Sequence, residues 1–147
     1  MEITVIKAMP GDAATIATLF DKYRIFYGKT SDLQSAESFI QERLHQDESV
    51  IFLAFLHGNA AGFTQLYPIF TSVGMQRTWL LNDLFVDENE RKKGVGEALL
   101  NAAKKLAKDT NSKWLLLQTG AENKTAQALY EKLHWKKITD IFYELPV

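Results

Sequence analysis

Glu90-Arg91-Lys92-Lys93-Gly94-Val95-Gly96-Glu97-Ala98-Leu99-Leu100 is the stretch on which the fold turns. An apolar run ends at Val86, a short polar loop follows, and two glycines open a helix. The first amides of a helix have no partner inside it and carry the positive end of its dipole. Glycine lets such amides come close to a phosphate, and Arg91, Lys92 and Lys93 add charge where a polyphosphate would lie. The dinucleotide fingerprint needs a third glycine or alanine, but position 99 is Leu. The triphosphate loop needs Gly-Lys-Ser/Thr at its end, which is absent too. The pattern is therefore a phosphate loop of neither common kind.

Working outward, residues 2–8 alternate as a strand, and Pro10 with Asp12 starts a helix carrying Ile16, Leu19, Phe20, Tyr23 and Tyr27 at helical spacing, stopped by Gly28. Ser31 with Gln34 has the form of a capping box ahead of a second helix striped by Leu33, Ala36, Phe39, Ile40 and Leu44. Residues 50–57 and 61–67 read as two strands joined at Gly58-Asn59, the second ended by Pro68. Residues 79–86 form another strand, 97–108 a helix, 114–117 a short buried strand, 123–133 a helix and 135–145 one or two last strands. Hairpins first and a β-α-β crossover after them give an α/β (α+β) domain over residues 1–147. Its sheet is mixed, with helices on both faces.

Composition narrows the function. The 147 residues carry a formal net charge of -1, so there is no field to draw in nucleic acid or anionic lipid. There are no cysteines, hence no disulfide, no Cys-zinc site and no acyl-cysteine step. No apolar run has the roughly 20 residues of a membrane helix, and the first residues lack a signal-peptide layout. The expectation is a cytoplasmic protein with no nucleic-acid or membrane partner. His45, His57 and His134 are not paired as metal ligands, so no metal is expected.

Arg91-x-x-Gly94-x-Gly96, behind an apolar strand and before a helix, resembles the signature of the GNAT superfamily of N-acetyltransferases. Asn123-x-x-Ala126-x-x-x-Tyr130 is similar to that superfamily's later helix, and the other elements follow in its order. The resemblance covers nearly the whole chain. It departs at His134, where the family commonly has Gly at a left-handed helix end. The resemblance implies a GNAT-like, mostly antiparallel sheet with a splayed central strand pair. It implies acetyl-coenzyme A as co-substrate. Arg91, Lys92, Lys93, Gly94, Val95, Gly96 and Glu97 would hold its pyrophosphate, with Asn123, Ala126 and Tyr130 beside it. Backbone groups of Leu84, Phe85 and Val86 would pair with the pantetheine arm as another strand would.

Tyr130 is then the acid for the departing thiolate. The carboxylate that many relatives carry on the preceding strand would fall at Leu80 or Asn82, and neither is acidic. Asp83 is adjacent but alternation puts it on the opposite face. The base is therefore water relayed by Asn82, with Asp83 second. Tyr23, Tyr27, Tyr67, Asn82 and Asp83 are the candidate acceptor contacts, with aromatic rings suited to an ammonium. Phe70 lies further along the same strand. The polyamine and histone acetyltransferase branch looks nearest; an amino acid, an aminoglycoside or a protein N-terminus remains open as acceptor. The alternative to an enzyme is a non-catalytic sensor of acetyl-coenzyme A. The apolar stretch from Trp135 to Val147 suggests a homodimer interface.

Overall fold

The computed structural model describes residues 2–147. In chain order the elements are β1 (Ile3–Lys7), α1 (Ala13–Phe26), α2 (Leu33–His45), β2 (Val50–Leu56), β3 (Asn59–Thr71), β4 (Gln76–Val86), α3 (Val95–Asp109), β5 (Leu115–Leu117) and α4 (Lys124–Lys132). A single 3-10 turn, Pro10–Asp12, leads into α1, and another, Glu88–Glu90, leads towards α3. The strands lie in sequence order, β1-β2-β3-β4-β5. The first three pairings are antiparallel, and β4 with β5 is parallel.

Helices cover both faces, as the order of elements predicts. On one face Ile16 and Leu19 of α1 and Ile40 of α2 pack on Ile51, Leu53, Phe63 and Phe85. On the other, Val95, Leu99, Leu100 and Ala103 of α3 pack on Ala54, Leu56, Leu66 and Leu81.

Two irregularities in β4 position the site. Gln65 pairs with Asp83 while Leu66 pairs with Leu81, so Asn82 is an inserted bulge residue. Thr64 pins it by donating its hydroxyl to the Asp83 carbonyl at 2.7 Å. Directly opposed residues share a face. The pairs Phe63–Phe85, Gln65–Asp83 and Tyr67–Leu80 therefore place Asp83 on the same face as Leu80. This overturns the expectation from alternation: one extra residue shifts the phase, and Asp83 faces α1 and α2. Second, β4 pairs with β5 only through Trp79, Leu80 and Leu81. β5 ends at Leu117, opposite Leu81, so among the described residues one edge of the end of β4 has no strand partner.

Three expectations need correction. The cap of α2 is Asp32, which accepts from the Ser35 amide at 3.2 Å, while Ser31 donates instead to Asp21 at 2.6 Å. Pro68 does not end β3 but sits inside it, opposite Trp79. Trp79 gives its amide to Trp114, away from β3. Pro68 therefore turns its missing N–H away from β4, and β2 has already ended at its Val50–Leu66 pair. Finally, residues 135–145 form no strand. The segment runs out with Ile141, Phe142, Tyr143 and Leu145 between 71% and 93% exposed. Beside it lies a cavity of about 960 Å³ lined by β5, α4 and residues 135–138, 140 and 142. The cavity does not reach the end of β4 or the glycine loop.

Candidate active site

The loop before α3 has the backbone that its glycines suggest. Lys92 stands at φ 63 and Gly94 at φ 91, both left-handed. Such turns point amides into one concavity, and a non-glycine residue there is strained. The helix begins at Val95, and the first amide bonded back into it is that of Ala98, to Gly94. The amides of Val95, Gly96 and Glu97 have no acceptor among the described residues. Gly96 also lets α4 come close: a Cβ there would lie 3.4 Å from Leu129 and 3.9 Å from Val86.

The three basic residues differ. Lys93 is held by Glu90 and the Asn89 carbonyl, each at 3.1 Å. Arg91 donates through Nε to the Val86 carbonyl at 2.9 Å, and its guanidinium lies 5.7 Å from the Phe26 ring and 5.8 Å from the Phe85 ring. Lys92 makes no ion pair among the described residues. Glu97 faces Lys132 of α4 at 3.5 Å.

The open edge of β4 is narrower than the sequence suggests. The Asp87 amide bonds the Ala61 carbonyl, which makes 85–63 the next hydrogen-bonded pair of the ladder. The backbone of Phe85 is thus turned towards β3. Leu84 and Val86 present their groups to the open side, and the Val86 carbonyl is already taken by Arg91. Leu84 N–H and C=O with Val86 N–H fit an amide-bearing ligand laid along the edge.

On the α1–α2 face, Asp83 is 7% exposed and Tyr23, Tyr27 and Tyr67 gather near it. Burial, reinforced by the Asp83 charge, raises the Tyr23 hydroxyl well above the ordinary phenol range. Tyr67 moves the same way for the same two reasons. Tyr27 packs edge-on to Tyr23 at 5.1 Å. Phe70 does not join them; it is 66% exposed on the hairpin, with Arg77 5.2 Å from its ring. Asn82 points to solvent and gives its amide to Asp83 at 3.1 Å.

Tyr130 lies on α4, half-buried with its ring 6.0 Å from that of Trp135. Burial raises its phenol, with a smaller push from Tyr27. Asn123 caps α4 by accepting from the Ala126 amide at 3.2 Å, which leaves its side-chain NH₂ and one lone pair of Oδ1 for a ligand. His134 stands at φ 72, the left-handed helix end expected of it. Sequence reading missed Gln65 and Ser49, both buried and both tied to Asp83 through hydrogen bonds. The available signal was a glutamine inside an apolar strand run.

A strand, β4, that outruns its parallel neighbour and free helix-start amides at a glycine turn are the arrangement that the resemblance to acetyltransferases implies. The acetyltransferase (GNAT) family matches residues 16–135. The chain belongs to that family. It is 48% identical over 137 residues to the Bacillus subtilis (strain 168) protein called uncharacterized N-acetyltransferase YhfO, covering 93% of this chain and 92% of that one. It is 30% identical over 115 residues to a probable acetyltransferase of Haemophilus influenzae, covering 78% and 79%. A crystal structure of a probable acetyltransferase superposes with a TM-score of 0.93 at 36% identity, over 98% of this chain and 97% of that one. The protein is thus an acetyltransferase with the mixed GNAT sheet.

Proposed function

We propose that this acetyltransferase uses acetyl-coenzyme A to acetylate a small cationic primary amine by direct attack. The observation that carries the reading is the bulge at Asn82. It turns a buried carboxylate, Asp83, to the tyrosine-lined face, beside the open end of β4. A carboxylate walled by aromatic rings suits an ammonium. Polyamines fit that chemistry, and a protein lysine presents the same group. The sensor alternative rested on the lack of a strand carboxylate, and Asp83 answers it. A cytoplasmic setting belongs to the same reading.

Acetyl-coenzyme A supplies a thioester-activated acetyl group. The amides of Val95, Gly96 and Glu97 would hold its pyrophosphate, and Leu84 and Val86 its amide arm. Asp83 holds the entering ammonium and takes one proton from it, directly or through water at Asn82, which frees the lone pair that forms the new C–N bond; the nitrogen, acidic once bonded to the acyl carbon, then loses its second proton to water as the C–S bond breaks. Asp83 thereby moves ahead of the Asn82 relay. Tyr130 keeps its proton at neutral pH and gives it to sulfur as the C–S bond breaks.

Acetyl-coenzyme A at about 100 times its dissociation constant should stabilise the fold by about 2.7 kcal/mol. For a chain of this size that is a rise of roughly 6–10 °C in Tm. A calorimetric titration and a melting curve test this; no heat and no rise would remove the coenzyme from the proposal. Thiol release on an amine panel then separates enzyme from sensor.

The homodimer is part of the same proposal. The exposed apolar segment 138–147 and the outer edge of β5 are complementary: among the described residues neither has a strand partner on its free side. A second copy's segment seated there would satisfy both, in a reciprocal two-fold contact. Light scattering at tens of micromolar protein should give twice the chain mass. Ile141→Asp with Phe142→Asp should give a folded monomer. A monomeric wild type would end the idea.

A further inference from the structure

Asp83 does not stand alone. Gln65, on the neighbouring strand directly opposite it, is fully buried and donates Nε2 to Asp83 Oδ2 at 2.9 Å. Ser49, just before β2 and also buried, donates its hydroxyl to Gln65 Oε1 at 2.7 Å. Asn82 donates to the other carboxylate oxygen, Oδ1, at 3.1 Å. The chain of donors runs one way. An ionised carboxylate only accepts, so Gln65 must turn its NH₂ to it. Oε1 is then left to accept, and Ser49 must be the donor. Gln65 and Asn82 each take a different carboxylate oxygen, the Tyr23 hydroxyl is a further partner, and the four lone-pair sites of the carboxylate leave capacity for a ligand.

A buried glutamine in a core strand is costly unless every polar atom finds a partner. An apolar side chain would serve the core at lower cost. Thr64 and Gln65, successive residues of β3 on opposite faces, hold the Asp83 carbonyl and the Asp83 carboxylate respectively. We propose that Gln65 is a positioning residue for the acceptor amine. It acts through Asp83, and Ser49 fixes the direction in which its amide is presented. The inference rests on the reading of Asp83 as the acceptor-facing carboxylate.

The other polar groups facing this carboxylate are Tyr23 of α1, Tyr67 of β3 and Asn82 of β4. Arg43 of α2 and Glu48 beyond it act on Tyr67. None of these is changed by Gln65→Met, which keeps side-chain length and removes the donor, or by Ser49→Ala, which frees the amide to turn over.

The probe is n-butylammonium chloride, followed at the Asp83 carboxyl by ¹³C NMR in wild type, Gln65→Met and Ser49→Ala, with the signal assigned by its loss in Asp83→Asn. A hydrogen bond to a charged group corresponds to roughly ten- to a hundredfold in an equilibrium. Gln65→Met should therefore bind the probe about tenfold or more weakly and move the Asp83 carboxyl signal of the free protein. Ser49→Ala should move both in the same direction by less. Acetyl-coenzyme A affinity should stay within about twofold of wild type, which a general loss of structure would not allow. If Gln65→Met does not fold, Ser49→Ala decides. A wild-type Asp83 signal that ignores the probe overturns the acceptor reading itself. A wild type that responds, with variants whose free signal and response to the probe are identical to its own, overturns the positioning role of Gln65 and leaves Asp83 in place.

Discussion

Tyr130→Phe is expected to lower kcat by about 10²–10⁴-fold, the usual share of a positioned general acid. Its affinity for acetyl-coenzyme A should be almost unchanged. The ring and its packing on Trp135 survive the substitution, and the only atom lost is the hydroxyl. That hydroxyl makes no side-chain hydrogen bond within the described protein, and no buried side-chain polar atom there lacks a partner. The hydroxyl is therefore accessible rather than sealed in the core, and Tyr130 lines the cavity beside β5. Removing it should leave folding intact.

Burial lifts this phenol above its ordinary value of about 10. A raised phenol stays protonated, so the proton is present throughout the working range. A coenzyme thiol ionises near 8.5, so full transfer from Tyr130 to a free thiolate runs uphill. The benefit comes while charge is building on sulfur, and that is where an interaction raises kcat without raising affinity. The sign for pH follows. Activity that depends on this proton is lost only as pH rises through the folded pKa, which lies above 10. An alkaline limb at lower pH must belong to another group. Single-turnover kinetics of the Phe variant with an amine identified from the panel test the role. Wild-type rates with chemistry limiting would place the acid elsewhere, and loss of folding would make the hydroxyl structural.

The fold was legible because its signals are local and periodic. The stripe Leu99, Ala103, Leu106 and the glycines before it need no tertiary information to be recognised as a helix with a phosphate-binding start. The same holds for the left-handed end at His134, which follows from its position after α4. The site was harder, because it depends on phase. The identity of Asn82 gives no sign that it is an inserted residue. Only the register, with 65–83 followed by 66–81, reveals it. Without the bulge Asp83 falls on the opposite face, and the strand carries no carboxylate facing α1 and α2. Pro68 misled for a related reason: proline stops a strand only where its missing N–H is needed, and whether β2 extends that far is a tertiary fact. The last strands were read from apolar content in Trp135, Ile138, Ile141, Phe142 and Tyr143. That content is real, but pattern alone cannot say whether the partner lies in the same chain.

Gly96→Asp is expected to weaken acetyl-coenzyme A binding by about 10²-fold or more, with little loss of stability. Gly94 is the poorer test site. At φ 91 any side chain is strained, so Gly94→Asp would confuse a loss of fold with a loss of binding. Gly96 lies inside the first turn of α3 at an ordinary backbone angle, and an added Cβ meets Leu129 and Val86 at van der Waals distance. An aspartate there even suits the helix dipole when nothing is bound. With coenzyme present, its charge faces the pyrophosphate across the free amides of Val95, Gly96 and Glu97. Like charges brought together in a site cost several kcal/mol, and each 1.4 kcal/mol is tenfold in affinity. Gly96→Ala separates bulk from charge: it adds the same Cβ with no carboxylate and should lose far less. Isothermal titration of both variants, beside their melting temperatures without ligand, decides the matter. If Gly96→Asp binds as tightly as Gly96→Ala, the pyrophosphate does not lie at the start of α3, and the glycine serves only the close approach of α4.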